Sequence, residues 1–87
     1  MRLYTRDHHV IQSWAEARRA RPARVRGTRV LRLAFDEPPP NWETIDWDEF
    51  FQTFDLTAQS FLYEDTPGSR ICKLTKGPGT GPISLAR

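Results

Sequence analysis

Asp7, His8 and His9 stand side by side in the chain. All three are metal-ligand types, but successive helix positions point about 100° apart and cannot all face one ion. No H-x-x-x-H or C-x-x-C spacing exists to complete a zinc site. A capping aspartate followed by two exposed imidazoles is the stronger reading, and no metal is expected. Cys72 is the single cysteine and falls in a stretch with strand character, where a buried, unreactive thiol is the common state. Ser13, Ser60, Ser69 and Ser84 carry no G-x-S-x-G elbow. Glu43, Asp46, Asp48 and Glu49 cluster where a helix should begin. Paired acids cleave glycosides only across a cleft of set width, whereas capping and dipole compensation account for acids at a helix start. The G-P-G-T-G run after Lys76 lacks a following G-K-[ST], so it is no phosphate loop. Neither a catalytic residue nor a cofactor is expected.

The arginines give a stronger signal. Arg18, Arg19, Arg21, Arg24, Arg26, Arg29 and Arg32 follow one another without an intervening acid. Guanidinium groups make forked contacts to phosphate, and such a concentration would bind nucleic acid through counterion release. No helix-turn-helix, RNA-recognition or zinc-finger signature accompanies them. The formal net charge of +2 conceals three blocks: +7 over residues 1–35, −9 over 36–69 and +4 over 70–87. Blocks this asymmetric either pair within the fold or present fields to partners. Arg18 also falls on the apolar stripe of its helix, where its stem can lie along the core.

With 87 residues the chain has room for one small domain. No apolar run approaches the roughly 20 residues of a membrane span. The start, M-R-L-Y-T-R-D-H-H-V, lacks the apolar stretch of a signal peptide, so a cytoplasmic protein is expected. One cysteine permits no intrachain disulfide. The hydrophobic fraction of 38% and the ten aromatic residues suffice for a core.

The elements follow from spacing. Val10, Ile11, Trp14, Ala15 and Arg18 share one helical face, predicting a helix over about 8–19 capped by Asp7 and ended before Pro22. Residues 23–35 alternate as strand. Gly27-Thr28 permits a two-residue hairpin turn, which would set Arg26 against Arg29; a single bent strand with a bulge is the equal alternative. D-E-P-P-P-N reads as a stiff connector rather than a ligand for a partner module. Asp46 with Glu49 forms a capping box, Ile45 and Phe50 a hydrophobic staple, and Trp47, Phe50, Phe51 and Phe54 one aromatic face, predicting a helix over 47–56. Residues 60–64 and 70–75 flank a Pro-Gly turn as an antiparallel hairpin.

His8, Trp14, Ala15, Glu16, Arg18, Pro22, Ala23, Val25, Gly27 and Thr28, with Trp47 through Phe51, match a pattern W-A-E-x-R-G-G-x-P-A-x-V-x-G-T … I-S-W-D-E-F-F. On these residues the chain resembles a family of short uncharacterised bacterial proteins over about residues 5–75. Arg19 and Ala20 replace the pattern's Gly-Gly, and Asp46 replaces its Ser. Such proteins are sometimes labelled glucan-branching enzymes. That activity is not expected of 87 residues, since it needs a barrel of about 250 residues. The resemblance implies an order of elements and supplies no catalytic residue.

The expected fold is α+β: two short helices on one face of a small antiparallel sheet of three or four strands. Residues 1–75 form the domain and 76–87 a flexible tail. The expected function is a non-enzymatic protein-interaction module with an unknown protein partner and no membrane. Nucleic-acid binding through Arg18–Arg32 is the alternative.

Overall fold

The computed structural model describes residues 1–76. The tail expected over 76–87 lies, from residue 77 onward, outside them. The order is β1 (Arg2–Thr5), α1 (His8–Ala17), β2 (Arg21–Val25), β3 (Leu31–Ala34), β4 (Trp42–Thr44), α2 (Trp47–Leu56), β5 (Gln59–Glu64) and β6 (Cys72–Lys76). The arrangement is α+β, as expected, but the strands among the described residues number six and divide between two three-stranded antiparallel sheets, ordered β1-β5-β6 and β3-β2-β4. Strands β1 and β4 lie outside the sequence expectation. Each is short, and each forms by pairing with a partner distant in the chain, β1 with β5 and β4 with β2.

Helix α1 begins where Asp7 accepts from the His9 and Val10 amides at 2.8 and 3.3 Å. It ends two residues earlier than expected. Arg19 turns left-handed at φ 59°, Ala20 N–H donates to Ala15 C=O and Arg19 N–H to Glu16 C=O. This is a Schellman closure, in which the left-handed site favours glycine because Cβ crowds the following carbonyl. Arg19→Gly should therefore stabilise the fold by about 1 kcal/mol. Thermal melts should show that as a rise of roughly 4–8 °C in Tm.

The 23–35 segment is a hairpin, but not through a two-residue turn. Val25 N–H donates to Val30 C=O, Thr28 N–H closes a turn onto Val25 C=O, and Gly27 supplies φ 78°. The loop thus takes residues 26–29, and Arg26 and Arg29 escape the direct pairing that the shorter turn would force. Pro22 lies within central strand β2. Its carbonyl accepts from Ile45 N–H, and its missing N–H faces the end of β4, so little of the ladder is lost.

Helix α2 carries the aromatic face. Asp46 caps it by accepting from Glu49 N–H at 2.8 Å. The Glu49 carboxylate is engaged by Arg24 rather than by the cap backbone. Helix α2 packs against β2 and β3 of one sheet and β5 of the other, so its fully buried Phe50 and Phe54 meet Leu31, Phe61 and Ile11 in one core. Trp14 of α1 joins this core edge-on to Phe61, and its Nε1–H donates to Glu64 C=O at 2.8 Å.

The N-terminal ammonium contacts Glu64 and Asp65. Hydrogen bonds from it and from Thr66 hold the Glu64 carboxyl at about 2. The same carboxylates raise the α-amino group above its ordinary 8.0. The Glu64 contribution to stability is present above the ordinary carboxyl range and is lost as pH falls toward 2; the amino contribution is present below pH 8 and lost as pH rises through its elevated value. Denaturant titrations across pH should show both losses, and Glu64→Gln should weaken both.

Candidate functional site

The seven arginines do not form one surface. Arg18 is a structural clamp. Its guanidinium lies 4.2 Å over the Trp14 ring and donates to the carbonyls of Ser69 (2.5 Å), Thr66 (2.9 Å) and Trp14 (3.0 Å). Arg24 bridges Glu43 on β4 and Glu49 on α2 at 2.6 and 2.5 Å. Hydrogen bonding to Glu43, with the charge of both carboxylates, raises the guanidinium pKa above its ordinary value, and Arg24 in turn holds the Glu43 carboxyl below its own. Arg26 approaches Glu43 at 3.5 Å and the Trp42 carbonyl at 3.3 Å. The acidic block also reaches the C-terminal basic block, through Asp36 and Arg70 at 3.3 Å. Much of the charge polarity therefore closes on itself within the fold.

Arg19, Arg21, Arg29 and Arg32 have no acidic partner among the described residues. They divide between two places. Arg19 and Arg21 line a cavity that also contains Asp36 and Glu37. Arg29 and Arg32 line a different one.

That second region is a groove between the two sheets. Strand β3 ends one sheet and β6 ends the other, so each presents one edge without a strand partner among the described residues. A cavity of about 350 Å³ lies between them, lined by Leu31, Leu33, Cys72 and Leu74 with Phe61, under Arg32, Arg70 and Lys73. It adjoins a more apolar one of about 500 Å³, bounded by Arg29, Val30, Thr57 and Gln59, which shares Leu31, Arg32 and Leu74. Leu31 and Leu74 line the same end of the groove, and at the other end the Arg70 guanidinium lies 5.4 Å from the Phe35 ring centroid. The two edges thus run antiparallel to each other across the groove. Among the described residues no acidic side chain lines either cavity.

The register shows which backbone groups face the groove. Val25 N–H donates to Val30 C=O, and inward pairing alternates along an antiparallel ladder. Leu31 and Leu33 therefore turn their N–H and C=O outward. On β6, Glu64 N–H donates to Ile71 C=O, so Cys72 and Leu74 do the same. Arg32 folds its own Nη1 onto the outward Leu31 carbonyl at 3.2 Å, which partly satisfies an edge group left open.

Cys72 is in the groove wall, and burial pushes its thiol up to about 11. A thiol so high is almost wholly protonated near neutrality. Alkylation by iodoacetamide at pH 8 should be at least about tenfold slower in the folded chain than in denaturant. His8 lies elsewhere, stacked on Phe51 at 4.1 Å with its Nε2 2.8 Å from Asp55. Its neighbours are on α2, whereas Cys72 packs with the core beside β5 and β3. Among the described residues no group of three or more His, Cys, Asp or Glu side chains is placed to hold a metal ion. No helix among them is long and apolar enough to cross a membrane.

Sequence reasoning placed Arg29 and Arg32 among its candidates and missed Arg70 and Lys73. Lys73 was detectable as the polar position between Cys72 and Leu74 in an alternating strand. Its meeting with Arg32 was not, because no local pattern brings β6 beside β3. Comparisons with protein-family models, with curated proteins and with solved structures find no match to this chain.

Proposed function

We infer that this chain is a small, non-enzymatic protein-interaction module of the cytoplasm. The observation that carries this reading is the groove between β3 and β6, where two strand edges open among the described residues flank apolar side chains, and Arg29, Arg32 and Lys73 have no acidic partner among those residues. Open edges and apolar grooves are the features by which small domains take up protein segments.

Placing a photo-crosslinking residue at Lys73 tests it in nuclease-treated bacterial lysate. The expected result is a discrete protein adduct, absent when the crosslinker replaces Gln52 on the exposed side of α2. Adducts of equal pattern from both positions, or none from Lys73, would overturn it.

The exposed Arg29 and Arg32 favour a second reading, nucleic-acid binding. It requires affinity for single-stranded nucleic acid that falls steeply with salt and is lost in the Arg29→Gln, Arg32→Gln double variant. Arg24 and Arg26 are poor probes of it because both are held by Glu43.

A further inference from the structure

We propose that the groove between β3 and β6 takes up an acidic protein segment in extended conformation, added as a strand. This rests on the protein-interaction reading and specifies its partner. Three observations converge on it. The outward backbone groups of Leu31 and Leu33 face the groove from one side and those of Cys72 and Leu74 from the other. An extended segment lying there turns its own N–H and C=O groups alternately toward the two edges, whose outward groups, apart from the Leu31 carbonyl that Arg32 reaches, have no backbone partner among the described residues. The apolar surface that the groove offers comes from exposed Val30 and partly buried Leu74, above the buried core residues Leu31, Leu33 and Phe61. The lips are cationic: Arg29, Arg32 and Lys73, with Arg70 shared with Asp36.

Strand alternation then prescribes the segment. Side chains pointing to the floor should be apolar, and those pointing to the lips should be acidic. A nucleic acid would satisfy the cations but leave the outward amides and the apolar floor without complementary groups. A second copy of this chain brings the same cationic lips to the contact, which disfavours it electrostatically.

The test uses the full chain and a blocked peptide of alternating Glu and Val. Binding is followed by fluorescence anisotropy, and amide shifts locate it. The expected result is saturable binding that weakens with salt, with the largest shifts at Leu31, Leu33, Cys72 and Leu74. A Lys-Val peptide should fail to bind. An Arg32→Glu, Lys73→Glu variant should weaken the Glu-Val peptide by at least about tenfold and gain affinity for the Lys-Val peptide. Both positions are exposed, and a thermal melt of the variant shows that the fold survives. Methylating alternate amide nitrogens of the peptide should abolish binding, because strand addition needs its N–H groups.

Binding that tolerates amide methylation, or shifts centred away from β3 and β6, would overturn the proposal. So would tighter binding of a single-stranded oligonucleotide at the same amides, or a self-associated chain whose dimer contact fills the groove. If the Glu-Val peptide fails while the Lys73 crosslinker still captures a discrete protein, strand addition falls and the interaction reading stands. If both fail, both fall.

Discussion

Replacing Arg18 by alanine should lower stability by about 2–4 kcal/mol. The estimate combines charge-assisted hydrogen bonds, worth roughly 1.5–3 kcal/mol where the partner groups lose solvent, with a cation–π contact worth about 0.5–2 kcal/mol. Arg18 spans from α1 to the loop after β5 by donating to the Ser69 and Thr66 carbonyls while covering Trp14. Truncation removes all of these together. Arg18→Lys should recover only a minor part, because a single ammonium cannot reach two loop carbonyls with the planar fork that also stacks on indole. The measurement is urea unfolding followed by tryptophan fluorescence. The loss has a local consequence as well. The 65–71 loop carries Arg70 and sets the start of β6, so amide exchange in that loop should accelerate more than exchange in β2.

The second large effect is expected at Phe50, with Phe50→Ala costing about 3–5 kcal/mol. Phe50 is fully buried on the helix that packs against both sheets, and it contacts Trp47 and Phe51 edge-on. A domain of this size is stable by about 4–11 kcal/mol at roughly 0.05–0.15 kcal/mol per residue. The substitution therefore removes much of the margin. The expected signature is a melt at lower temperature in which helical and tertiary signals are lost together, because helices of ten residues depend on packing rather than on their caps. Phe50→Leu keeps most of the volume and should cost less than half as much. A Phe50→Ala variant as stable as the parent would mean that α2 does not couple the sheets.

The capping residues and the helical faces were legible because they are local. Asp7 and Asp46 cap within three residues of themselves, and the Phe50, Phe51 and Phe54 spacing states its own buried side. The Pro-Gly turn was equally readable: Ser69 N–H donates to Thr66 C=O around Gly68 at φ 82°. The end of α1 was half legible. The sequence shows that the chain must leave the helix before Pro22, but the left-handed Arg19 departs from the residue preference of that position. The N-terminal strand was not legible, since Arg2–Thr5 becomes a strand only through pairing with Phe61–Glu64 across most of the chain. The capping box was read one step too far, because Glu49 has a stronger partner in Arg24, brought near by β2.

The arginine run shows where the division falls. Sequence by itself determined an α+β class, two capped helices with their apolar faces, and a charge polarity of +7, −9 and +4 along the chain. It also placed Arg18 on the stripe that lies against the core. Only the tertiary structure decided which charges neutralise one another, because Arg24 meets Glu43 and Glu49 through strand pairing and helix packing that no local spacing encodes. The same holds for the groove. Its walls come from two sheets whose edge strands are far apart in sequence, and its cations, Arg29, Arg32 and Lys73, belong to different blocks of the chain. Local preferences are set by neighbours a few residues away, whereas a site assembled from open sheet edges exists only once the long-range pairings have chosen which edges remain open.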